Sequence, residues 1–136
     1  LRYTQLTVER GTGKVTCSLV WNAEGYKQTQ PYLSYLVKEM RRLDPDLWHS
    51  IWVNCNDGMG NNIFKEGKWE LVCGQEYSRE RMGPSASYKD GPHLFFTPQV
   101  FRQGNIDGFE VLADRVGDIV LNAERRVRGG KIRVTE

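Results

Sequence analysis

The sequence predicts an α+β fold: an antiparallel sheet carrying two amphipathic helices on one face in a βαββαβ-like sandwich, preceded by an N-terminal β-hairpin. Three observations lead there. Apolar residues recur at helical spacing over 31–43 and again over 106–123, alternating β-rich runs lie between and around them, and Gly- and Pro-containing turns separate the runs. A chain of 136 residues fits a single domain spanning 1–136, with the hairpin at 1–21 and the sandwich core at 22–136.

The elements follow in order. Tyr3 to Glu9 alternates, with Leu6 and Val8 on one side and Thr7 and Glu9 on the other, and Lys14 to Trp21 is rich in β-formers. Between them Arg10-Gly11-Thr12-Gly13 supplies turn glycines. Lys14 after Gly13 only superficially suggests a phosphate loop, because Val15 stands where Ser or Thr is required. Thr29-Gln30-Pro31 opens the first helix, in which Leu33, Leu36, Val37 and Met40 share a face; Pro45 ends it after Leu43 and Asp44.

A strand over 47–54 carries Trp48 and Trp52, and an Asn- and Gly-rich turn runs from Asn56 to Asn62. Lys68 to Cys73 returns as a strand, 77–92 reads as an aperiodic surface loop able to carry a contact, and Leu94-Phe95-Phe96 is a short strand. Asp107 is the expected cap of the second helix, with Glu110 completing a capping box. Phe109, Leu112, Val116, Ile119, Val120 and Ala123 form its apolar stripe; Gly129-Gly130 ends the run, and 131–135 alternates as a final strand.

Composition limits function. Nineteen basic against 17 acidic residues give a net charge of +2, far from the excess of a dedicated nucleic-acid coat, and no apolar run approaches the ~20 residues of a membrane span. The start at Leu1, without a methionine, fits either a trimmed mature product or a chain cut for expression. His49 lies among Trp48, Ile51 and Trp52 and reads as a packed histidine; His93 follows Gly91-Pro92 and reads as a loop histidine. Neither stands in a catalytic frame, Asp44 and Asp46 flank Pro45 as turn residues, and no dinucleotide fingerprint occurs, so no catalytic residue is assigned and the reading leans away from an enzyme. No cofactor is expected. Nor is a metal: the Asn56–Asn62 turn lacks the downstream acid of a calcium loop, and zinc would need nearly every Cys and His in the chain.

Cys17, Cys55 and Cys73 admit two readings: three buried thiols in a reduced cytoplasmic protein, or one disulfide, Cys55–Cys73 with Cys17 as rival partner, plus a free thiol. The strongest charge feature is Arg125, Arg126 and Arg128 with Lys131 and Arg133, a candidate interaction surface for a protein target, anionic lipid or phosphates, weighed against a solvated helix end complementing the helix dipole.

Gly104-Asn105-Ile106-Asp107, the helix through Ala123 and Val127-Arg128-Gly129-Gly130-Lys131-Ile132 resemble the closing segment of small secreted fungal proteins of the killer-toxin-like and necrosis-inducing effector class. That resemblance covers roughly 25–136 and implies a secreted, disulfide-bearing, non-enzymatic effector or virulence protein that binds a host or competitor target, with an immune receptor as a further partner. Phe95-Phe96-Thr97-Pro98 and Ala113-Asp114-Arg115-Val116 are similar to strands of fungal guanyl-specific ribonucleases. The second resemblance implies an RNA-binding protein with catalysis lost: Arg115 would bind phosphate, Phe96 replaces the general base, and no histidine follows as the acid. It requires 113–121 to be extended. The third expectation is an intracellular protein-interaction module.

Overall fold

The computed structural model describes residues 1–83 and 91–126, and the side chains of the described residues up to 123. Its elements are β1 (Tyr3–Val8), β2 (Val15–Trp21), a single 3₁₀ turn (Tyr26–Thr29), α1 (Tyr32–Leu43), β3 (Trp48–Cys55), β4 (Trp69–Gly74), β5 (Ser78–Arg81), β6 (His93–Phe96) and α2 (Ile106–Arg126). The α+β class stands: there are two α-helices, a four-stranded sheet in the order β1-β2-β3-β4, and a two-stranded sheet of β5 and β6.

One detail of the sheet is corrected. β1 pairs antiparallel with β2 and β3 antiparallel with β4, but β2 and β3 run parallel, with Cys17 opposite Ile51 and Leu19 opposite Val53. The sheet is therefore mixed rather than wholly antiparallel. Parallel neighbours need a crossover long enough to return the chain to the same end, and α1 supplies it. β2, the second half of the predicted hairpin, lies in the middle of the sheet.

α1 packs on the sheet face formed by Cys17, Leu19, Ile51, Val53 and Cys55, and it contributes Leu33 and Val37 to that core, with Leu36 and Met40 beside them. Leu33 is fully buried; burying such a side chain stabilises by about 1.5–3 kcal/mol. The Trp48 indole donates to the Met40 carbonyl at 3.0 Å, tying the entry of β3 to the last turn of α1. The opposite face of the central strands is also buried but partly polar. Thr16, Ser18, Ser50 and Asn54 lie there with Val20 and Trp52, and Ser50 Oγ joins the Thr16 hydroxyl at 3.1 Å and accepts from the Trp52 indole at 3.2 Å.

The chain divides into two compact units. The first comprises 1–80 and 94–101; the second comprises the described residues within 81–93 and 102–126. In the second, the Met82 N–H donates to Pro92 O at 2.9 Å, and Gly91, at φ +63°, leaves no room for a Cβ against the Met82 carbonyl.

α2 is helical throughout 106–126, which removes the extended 113–121 segment required by the ribonuclease-like reading and places Arg115 on an exposed helical position. Its cap is Asn105 rather than Asp107: Asn105 Oδ1 accepts the Gly108 N–H at 2.8 Å, and the Asn105 carbonyl accepts from Phe109. The side chain that reaches the third following amide decides the cap, and Asn stands two positions earlier than Asp. Ile106 is buried, while Leu112, Val116, Ile119 and Val120 along the predicted stripe are exposed. Within the expected surface loop, 78–81 is a strand; 84–90 lie outside the described residues, as does the predicted strand at 131–135.

Candidate functional site

Two polar constructions stand out in the first unit, and the sheet positions both. The first gathers at the start of β2 and β3. Glu9, at the end of the β1 run, accepts the Arg79 N–H at 2.6 Å and the Thr12 hydroxyl at 2.5 Å, and its Oε1 lies 3.8 Å from His49 Nε2. Next to it the fully buried Glu80 accepts the Arg10 backbone N–H at 3.2 Å and the Arg10 guanidinium at 3.1 Å. Burial works against ionisation of Glu9. The Thr12 hydroxyl, the Arg79 amide and the electrostatic influence of His49 and Arg79 outweigh it and hold its carboxyl below the usual glutamate range. A carboxylate whose lone pairs are occupied in this way pins the hairpin turn to β5; it is not arranged as a free base. His49 is accordingly a packed residue, its Nδ1 3.4 Å from Ser50 Oγ, as its tryptophan-rich surroundings predict.

The second construction forms where β3 leaves the sheet. Asn54 is fully buried at the end of β3, a strand position that asparagine rarely takes. Its Oδ1 accepts the Lys65 N–H at 2.8 Å, and its Nδ2 donates to the carbonyls of Lys65 at 2.8 Å and Lys68 at 3.4 Å. Asn56, two residues on, donates to the carbonyls of Asn62 and Ile63 and accepts the Gly58 N–H. The Arg2 guanidinium bonds the carbonyls of Asn56 and Gly58, and Lys65 Nζ meets Asp57 at 2.6 Å. The Asn- and Gly-rich stretch, expected as a turn, is thus a loop held from inside by two buried amides.

That bracing shapes a cleft of about 330 Å³ lined by Phe64, Glu66, Gly67, Trp69, Pro98 and Gln99. Phe64 and Trp69 lie 4.9 Å apart at 37° between ring planes, and Gly67 takes φ +67° at the turn between them. Both rings are half-buried, while Glu66, Lys68 and Gln99 are exposed. Sequence reasoning did not single out this cleft. Its residues come from two stretches thirty positions apart, and the available sign was Asn54 and Asn56 alternating with buried Val53 and Cys55.

The cysteines correct the disulfide expectation: all three are free. Cys73 stands opposite Ile51, four residues along β3 from Cys55, a separation of about 13 Å. Cys17 also stands opposite Ile51, from the other side, so two strand spacings of about 4.8 Å part it from Cys73. Each exceeds the ~7 Å that a bridge allows between Cα atoms. Burial raises the Cys17 thiol to about 11, and burial with the Glu70 charge raises Cys55, so neither is a poised nucleophile.

Among the described residues no three His, Cys, Asp or Glu side chains gather as a metal site, and no described helix is long and apolar enough to cross a membrane. Arg125 and Arg126 end α2 with side chains outside the described residues, and Arg128, Lys131 and Arg133 lie outside them altogether.

No family model matches the chain. It is 37% identical over 118 residues, 85% of its length, to a protein of Protochlamydia amoebophila (strain UWE25) named as an uncharacterized RNA methyltransferase. The chain spans 29% of that relative. This overturns the killer-toxin and secreted-effector reading, including its virulence and disulfide expectations: a likeness across most of the chain outweighs a pattern of two helices and a glycine turn, which many α+β proteins share. Neither a host target nor an immune receptor finds support in that likeness, and the relative's name is that of an enzyme.

Proposed function

We propose that this chain is part of an RNA-modifying enzyme of the methyltransferase type and that it contributes to holding the RNA. The single observation behind the reading is the likeness to the named RNA methyltransferase over most of this chain. The first unit suits the role: it presents a braced loop with exposed Asn61, Asn62 and Lys68 beside half-exposed aromatic rings, groups that meet phosphates, sugars and unstacked bases.

A methyl donor is implied by this reading, and neither Glu9, Glu80 nor the buried thiols are free to hold one. Glu9 and Glu80 are occupied by the amides and cations described above, and the buried thiols are shifted away from the thiolate.

The test is fluorescence anisotropy of labelled single-stranded and stem-loop RNAs titrated with the chain. The reading expects saturable binding of RNA in preference to duplex DNA of the same length. Absence of RNA binding at low salt, with the protein folded by circular dichroism, would overturn it.

A further inference from the structure

We infer that the Phe64–Trp69 cleft is a pocket for one unpaired RNA base carrying an exocyclic amino group, and that Asn54 is its positioning residue. The inference rests on the RNA-binding reading and adds to it a place and a base preference. Four observations carry it. The cleft, about 330 Å³, stands at the small end of the range for ligand sites, which suits a single base rather than a helix. One side of it is aromatic, formed by Phe64 and Trp69 packed on each other, and a nucleobase gains from stacking on the exposed face of such a pair.

Its polar lining is specific: the Glu66 carboxylate only accepts, whereas the Gln99 amide both donates and accepts. A carboxylate accepts from the projecting amino group of guanine, cytosine or adenine, whereas uracil offers only an N3–H recessed between two carbonyls whose oxygens repel the carboxylate. Finally, the site is preformed. Asn54, with no exposed surface, grips the backbone at Lys65 and Lys68 on both sides of Glu66 and Gly67, so the loop does not have to order itself when a base enters. Lys68, exposed between Gly67 and Trp69, supplies a cation for the adjoining phosphate.

The test compares fluorescein-labelled oligo-A, oligo-C and oligo-U with the intact chain, and maps photocrosslinks from RNA carrying one 4-thiouridine next to the tested base. The inference expects crosslinks within 64–69 and tighter binding of oligo-A and oligo-C than of oligo-U. Trp69→Ala should weaken binding by about tenfold, the scale of one lost stack, and Trp69→Phe should restore most of it. Glu66→Gln, at an exposed position, should narrow the gap between oligo-U and the others. Asn54→Asp should weaken oligo-A binding without abolishing the residual preference set by Glu66. If RNA binds but Trp69→Ala, Phe64→Ala and Glu66→Gln all leave affinity and preference unchanged, the pocket is wrong while the RNA-binding reading stands. If no RNA binds, both fall.

Discussion

Asn54 and Lys65 are joined by a reciprocal pair of hydrogen bonds, the side-chain amide of one accepting from and donating to the main chain of the other, each at 2.8 Å. The pair spans eleven residues and fastens an exposed loop to a buried strand end. Replacing Asn54 by Leu leaves the Lys65 N–H and carbonyl without that partner inside the protein. We expect a loss of about 1–3 kcal/mol in urea unfolding, together with faster hydrogen exchange confined to 56–68. Unchanged exchange there would show that the loop is held by other means.

Acid should loosen the polar knot around Glu9. Its carboxyl is held below the ordinary value of 4.5, so the stabilisation it gives is complete above that pH and is lost as pH falls through its lowered value in the folded state. Glu9→Gln should therefore lower stability at neutral pH and flatten the fall in stability below about pH 4.5 relative to the parent chain. Urea midpoints measured across pH 3 to 7, as an order-of-magnitude window, check both.

Gly74 permits no side chain. At φ +96° an added Cβ would stand 2.3 Å from the His49 carbonyl, where Gly74 of β4 pairs with Ser50 of β3. Gly74→Ala should cost more than about 1 kcal/mol, through left-handed strain and the backbone clash together. Gly11→Ala, in open space, serves as the thermal-melting control.

Thiol chemistry distinguishes the three cysteines. The native protein should show three reducible-independent thiols by mass spectrometry, with Cys73, half-buried, alkylated first. Cys17, at about 11, and the buried Cys55 should react only as the protein unfolds. A mass shift of one bridge would contradict the strand register.

The elements carried by local pattern were legible in the sequence. Leu33, Leu36, Val37 and Met40 mark α1, the glycines of 11–13 mark the first turn, and the helical period over 106–123 survives Gly117. Relations between distant residues were not. The parallel pairing of β2 with β3 depends on α1 acting as a crossover, and an alternating strand reads the same whichever way its neighbour runs. Glu9 and Arg79 are seventy positions apart, so nothing local announces their bond. The disulfide alternative arises because Cys55 and Cys73 both end β-rich runs, whereas only the register shows that they stand several residues apart along the sheet.

The most direct test of the central claim is the salt dependence of RNA affinity for the intact 136-residue chain. The account predicts saturable binding to single-stranded RNA, with the logarithm of affinity falling linearly as the logarithm of salt rises, by about 0.7 per phosphate neutralised. A folded chain that leaves RNA free at the lowest salt, or binds it with no salt dependence and no preference over duplex DNA, would contradict it.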